Sequence, residues 1–148
     1  MIRPATVSDI PAIAAMGKEF HGRAGWSDIF DYNEADCAAS LANLIPLDNF
    51  ICLVAETDKI IGMAAGVVSP VYFNHSHKSG EELFWWASDE APQMAGVRLL
   101  VALEGAAKAK GCDSWQMKSI ALLGGDRMAK LYERRGYRAS EHSFIKRL

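Results

Sequence analysis

The apolar positions of this chain change their spacing several times, and each change predicts an element. Ile2 to Ala5 reads as a short strand. From Asp9 onward, Ile10, Ile13, Met16, Gly17 and Phe20 recur at helical spacing, with Asp9 suited to the N-cap and Pro11 to the first turn. A second helix is expected from about Asn33 to Leu44, with Pro46 ending it. Phe50 to Glu56 and Ile60 to Ser69 are apolar runs separated by the polar Thr57-Asp58-Lys59, which predicts an antiparallel hairpin. The polar stretch Asn74 to Gly80 predicts a loop, followed by a strand from Glu81 or Glu82 to Ala87. A long helix is expected from about Ala95 to Lys110, stopped by Gly111, and then a strand from Ser114 to Ser119. A last helix capped by Asp126 and a closing strand around His142 to Leu148 complete the order β-αα-βββ-α-β-α-β. Hairpin and crossover connections together predict an α/β (α+β) fold in one domain over 1–148, a mixed sheet with helices on both faces.

Composition narrows the class. At 148 residues, half of them hydrophobic and 23% charged, the chain has the make-up of a single soluble globular domain. A net charge of −2 argues against a general nucleic-acid partner. Cys37, Cys52 and Cys112 are an odd set without metal-ligand spacing, which suits reduced thiols, and no apolar core opens the sequence as a signal would. No apolar run approaches the roughly 18 residues of a membrane span. A cytoplasmic location is expected. His75 and His77 form a His-x-His pair with no further ligands in view, so no metal site is expected.

The densest signal is Ala129-Lys130-Leu131-Tyr132-Glu133-Arg134-Arg135-Gly136-Tyr137-Arg138. Two arginines suit the negative end of a helix, and Gly136 suits a left-handed stop. A tyrosine in the last turn of such a helix can turn its hydroxyl into a cleft. The phrase resembles the C-terminal signature of the GNAT superfamily of acetyl-CoA-dependent N-acetyltransferases, and the element order resembles that family over essentially the whole chain. The strand Glu82-Leu83-Phe84-Trp85-Trp86 is similar to small phage and bacterial members in particular. The resemblance implies acetyl-CoA as co-substrate, an amine-bearing acceptor, direct attack without a covalent intermediate, and Tyr132 as the acid that protonates the departing thiolate.

It also implies a site for the coenzyme A pyrophosphate between that strand and the next helix. Backbone N–H groups at a helix N-terminus hold such an anion when the side chains there are small. By this alignment the cofactor-binding set is Trp86, Ala87, Ser88, Met94, Ala95, Gly96, Val97 and Arg98, with Gly96 at the last small position. Met94 stands where the family has a glycine, no arginine precedes it, and Gly125 stands where many relatives carry an asparagine. Those departures sustain an alternative, a non-catalytic GNAT-fold binding protein with a degenerate loop.

For the base, the resemblance points to Glu82, with Glu81 on the opposite face of a regular strand. A solvated carboxylate at a strand start explains Glu82 equally well. On the acceptor side, Trp26, Phe30 and Tyr32 lie between the first two helices, beside Asp28 and Asp31. Aromatic rings with carboxylates suit an amine, and they suit a connection packed on its own domain just as well. The sequence leaves the acceptor's identity and the oligomeric state, a homodimer included, open.

Overall fold

Two stretches of continuous apolar sequence sit at the centre of the sheet, because only a strand buried on both faces can hide them. The computed structural model describes residues 1–148. Its five strands are β1 (Ile2–Pro4), β2 (Phe50–Glu56), β3 (Ile60–Val71), β4 (Asn74–Ala87) and β5 (Ser114–Gln116). They lie side by side in chain order. The first four pair antiparallel and β5 joins β4 in parallel. The helices are α1 (Ile10–Arg23), α2 (Glu34–Leu44), α3 (Ala95–Ala109) and α4 (Gly125–Arg134).

Strand alternation sorts the core into two layers. Cys52, Val54, Met63 and Ala65 pack with Ile10, Ile13 and Phe20 of α1 and Leu41 of α2. Ile51, Leu53, Ile61, Ala64 and Val68 pack with Leu99, Leu103 and Ala107 of α3. Local chemistry sets the helix starts. Asn33 caps α2, its Oδ1 accepting the Asp36 N–H at 3.1 Å. Asp9 is buried, accepts the Thr6 N–H and forms an ion pair with Arg3 that holds its carboxyl well below the usual range.

Four expectations need correction. Asn74 to Gly80 is the first half of β4, not a loop, because the β3–β4 ladder runs out to Val71 and Asn74. Its polar residues reflect an exposed strand, so His75 and His77 sit on β4, where the His77 ring lies 3.1 Å from Asp113. The N-cap of the last helix moves from Asp126 to Gly124, at φ 77°, and the helix starts at Gly125. Strand β5 ends at Gln116 rather than Ser119, because side chains take up the backbone of Lys118 in place of a ladder partner. No closing strand forms over His142 to Leu148: β5, the sheet's last strand, is three residues long, and Phe144 and Ile145 stay exposed.

The β4–β5 contact depends on two glycines. The Trp115 ring lies over Gly66 of β3 and Gly80 of β4, and a Cβ at either position would collide with it. Forcing such overlap in a packed layer typically costs about 1–3 kcal/mol. Gly80→Val should therefore lower stability by about that amount in denaturant titration, with the Trp115 fluorescence perturbed. A variant as stable as wild type would show that the indole is not seated there.

Candidate active site

The site begins with an irregularity in β4. Ala65 opposes Phe84 and Gly66 opposes Glu82, which leaves Leu83 without a partner. Such a bulge shifts the alternation by one. Phe84 and Trp86 pack on the α1 side, whereas Gly80 and Glu82 fall on the α3 side. Without the extra residue, Glu82 would share a face with Trp86.

At the same level the sheet parts. The β4–β5 ladder comprises Ser79–Ser114, Gly80–Trp115 and Glu81–Gln116 and goes no further. Past this point, the edge of β4 that faces away from β3 has no strand partner. Every second residue there directs its N–H and C=O into the gap. The backbone of Lys118 would be stranded as β5 diverges, and two side chains take it up. Glu82 Oε2 accepts the Lys118 N–H at 2.9 Å, and the Tyr132 hydroxyl donates to the Lys118 carbonyl at 2.8 Å. These bonds replace the ladder, which is why β5 stops early.

Tyr132 is placed by the end of its helix. Gly136 has φ 89°, its N–H donates to the Glu133 carbonyl, and the Tyr137 N–H donates to the Tyr132 carbonyl. This is the Schellman arrangement, with its accompanying contact between the Tyr132 and Tyr137 rings at 5.6 Å. The Tyr137 hydroxyl donates to Glu104 of α3 at 2.7 Å, and Arg135 pairs with the same carboxylate. The helix end is thereby tied to α3, and Tyr132 is 7% exposed with its ring 6.2 Å from that of Trp85.

Burial sets the electrostatics. Glu82 is 4% exposed, and loss of solvent pushes its carboxyl up to about 7, opposed by the Lys118 N–H. Burial, with the nearby Glu82 charge, also raises the Tyr132 phenol, so that hydroxyl keeps its proton at neutral pH. Glu81 behaves differently: it is exposed and pairs with Lys118 Nζ at 3.5 Å.

A cleft of about 350 Å³ passes through the opening between β4 and β5. It brings together Glu82, Trp86, Ala87, Ser88, Gly96, Val97 and Tyr132. Helix α3 starts here without a side-chain cap on Met94. The Ala95 N–H donates to Pro92 and the Arg98 N–H to Met94, while those of Gly96 and Val97 have no acceptor in the preceding loop. Trp85 Nε1 donates to the Gly96 carbonyl at 2.9 Å, fixing the helix start against β4.

Other candidates fall outside. Met94, Ala95 and Arg98 line a separate groove of about 670 Å³ with Met1, Glu56 and Ile61. They lie on the far side of the α3 N-terminus because helical rotation turns them away from Gly96 and Val97. Tyr32 does not reach the cleft either. Its hydroxyl donates to the Ala14 carbonyl at 2.6 Å and fills the space left by Gly17 on α1. Trp26 packs edge-on against Phe20 at 5.4 Å, one residue removed from the cleft, and Phe30 is 61% exposed.

Several cleft residues carry no motif. Phe20 is indistinguishable in the sequence from the rest of the apolar stripe of α1, yet it lines the cleft beside Trp86. Lys118 contributes through its backbone, which no residue type reports. Arg127 and Met128 enter from the first turns of α4.

No protein-family model and no curated protein matches the sequence. Solved structures do match the fold. A transcriptional regulator from Bacillus halodurans C-125 superposes with a TM-score of 0.79 at 20% identity, covering 100% of this chain and 99% of that one. A predicted acetyltransferase from Clostridium acetobutylicum, solved with acetyl-CoA, superposes with a TM-score of 0.76 at 17% identity over 99% of this chain and 94% of that one. An aminoglycoside acetyltransferase from an uncultured soil metagenomic sample, in complex with sisomicin, gives 0.68 at 17% identity over 99% and 92%. The chain has the GNAT acetyltransferase fold. Within the GNAT frame, the departures at Met94 and Gly125 have clear positions. Met94 turns away from the cleft, and a Cβ on Gly125 would come within 3.3 Å of Ser119 Oγ.

The Glu82 carboxyl also links the site to stability. Its pKa is raised on folding from 4.5 to about 7. Between those values the unfolded chain releases the proton and the folded chain keeps it, so stability falls as pH rises through this window. The loss is bounded at about 3 kcal/mol. Wild type should lose stability from pH 4.5 to 7 in denaturant titrations relative to Glu82→Gln, in which the amide still accepts from Lys118. Parallel pH profiles for the two proteins would show that Glu82 ionises as it would in water.

Proposed function

We propose that this protein transfers an acetyl group from acetyl-CoA to a primary amine by direct attack. The observation that carries the reading is the convergence of Glu82 and Tyr132 on one cleft at the point where β4 and β5 part. Trp86, Ala87 and Ser88 of the β4 end, with the free N–H groups of Gly96 and Val97, form the wall for the cofactor. The unpaired edge of β4 offers hydrogen bonds to the amides of an extended pantetheine arm and to the thioester carbonyl. Glu82, with a pKa near neutrality, accepts the proton of the attacking amine directly or through a water. The amine nitrogen then bonds to the acetyl carbon, the carbon–sulfur bond breaks, and Tyr132 protonates the leaving thiolate after releasing the Lys118 carbonyl. The aminoglycoside-bound structural neighbour supports an amine as acceptor. Of the aromatic residues between α1 and α2, Trp26 bears on this scheme only through its contact with Phe20, and Tyr32 braces α1.

The second reading is a GNAT-fold binding protein without turnover. It is favoured by the missing loop glycine and arginine around Met94. Thiol release from acetyl-CoA in the presence of a panel of amines separates the two.

Three outcomes are expected. Acetyl-CoA at 100 times its dissociation constant should stabilise the protein by about 2.7 kcal/mol, read as a rise in melting temperature. No shift at millimolar acetyl-CoA removes the cofactor assignment. Tyr132→Phe should retain acetyl-CoA binding and lose roughly 10²–10⁴-fold in turnover. Glu82→Gln should lower the rate most near neutral pH and least at high pH, where the amine is already free, and should make the decline in kcat/KM below about pH 7 shallower than in wild type, leaving only the part due to protonation of the amine. Full turnover in the phenylalanine variant, or a pH-independent deficit in the glutamine variant, contradicts the assigned roles.

A further inference from the structure

The cleft contains one cation that no carboxylate neutralises. Two cationic side chains line it, Lys118 and Arg127. Lys118 Nζ is engaged by Glu81 at 3.5 Å. Arg127, exposed in the first turn of α4, takes part in no ion pair. The only carboxylate in the lining is the buried Glu82. Across the opening stand the free N–H groups of Gly96 and Val97, which an anion would occupy. Helix α3 supplies no side-chain charge to them, since Arg98 faces the other groove, beside Glu56. A further donor in the lining is also unused: Trp86 Nε1 is buried and has no acceptor. The site therefore presents neutral donors on one wall and an unneutralised guanidinium on the other, a pattern suited to a phosphate on a ligand that threads the cleft.

We propose that Arg127 is the cation that binds a phosphate group of the coenzyme A thioester, in the absence of an arginine in the loop before α3. The proposal rests on the acetyl-CoA reading given above. Helix α4 would then contribute at both ends, Tyr132 near its last turn to the thiolate and Arg127 in its first turn to the phosphate. The side chain is exposed, so its contact with phosphate is screened by salt and belongs at the lower end of charge-assisted bonds.

The test is a binding titration at low ionic strength with three probes: coenzyme A, dephospho-coenzyme A lacking the 3′-phosphate, and pantetheine, which has no phosphate. Arg127→Ala should weaken coenzyme A binding by about tenfold, Arg127→Glu by more, and Arg127→Lys by less, because the point charge remains. All three should bind pantetheine as wild type does. Lys130→Ala, an exposed cation on the same helix outside the cleft, should bind all probes normally. Weakening that extends to dephospho-coenzyme A places Arg127 on the diphosphate, and weakening confined to coenzyme A places it on the 3′-phosphate. Either supports the proposal. Unchanged coenzyme A affinity in Arg127→Ala, or an equal loss for coenzyme A and pantetheine, overturns it while leaving the cofactor assignment intact. A wild-type protein that binds neither coenzyme A nor pantetheine would overturn the acetyl-CoA reading itself.

Discussion

The backbone of one residue, Lys118, is the constraint on which this site depends. A parallel strand that leaves its neighbour strands its own N–H and C=O, and buried groups of that kind cost about 1–3 kcal/mol each when unpaired. Here Glu82 accepts from the N–H and Tyr132 donates to the carbonyl, so β5 can diverge from β4 without that penalty. The same two bonds draw a carboxylate from the sheet and a phenol from α4 onto one point. Opening a cleft and bringing a buried carboxylate and a phenol to it are thus one structural event. The arrangement is also reversible in chemical terms: each group holds a backbone partner that a ligand's own polar atoms can replace.

Placement of the two groups relies on backbone irregularities. The unpaired Leu83 moves Glu82 from the α1 face of the sheet to the α3 face. The left-handed Gly136 turns the chain after α4 so that Tyr137 meets Glu104 and packs on Tyr132. On the other side of the cleft, Arg23 at the end of α1 lies over the Trp86 ring at 5.4 Å and pairs with Asp89 in the loop beyond β4. This contact ties α1 to the loop beyond β4 through exposed side chains, where ion pairs contribute little, so it orients the loop more than it holds the fold.

Much of this was legible in the sequence. The helical spacing of Ile10, Ile13 and Phe20 and the turn between two apolar runs each reported a local cause, and each element formed where that cause acts. Tyr132, Glu82 and the β4 end through Ser88 could be assembled into one site because the family resemblance tied them to an element order. What stayed hidden was geometry that residue type does not encode. The polarity of Asn74 to Gly80 signals exposure, and an exposed strand and a loop share it. Helical rotation decided that Gly96 and Val97 face the cleft while Met94 and Arg98 do not, and a loop alignment carries no rotation. A closing strand over His142 to Leu148 would need a long neighbour, which three-residue β5 is not.

The departures from the loop motif take on a different meaning once those rotations are known. A bulky residue at the glycine position matters only if its side chain enters the space the cofactor would use. Met94 enters the opposite groove, and the residues whose backbone faces the cleft, Gly96 and Val97, carry a small and a medium side chain. Gly96 makes room in a second way: a Cβ there would lie 3.6 Å from the Trp85 ring, in ordinary contact, so the glycine is not required by packing within the protein. Its missing side chain instead leaves the helix start bare toward the cleft. The loop thus places its bulky Met94 on the side away from the opening and presents Gly96 and Val97 toward it, so the backbone at the helix start stays approachable from within the cleft.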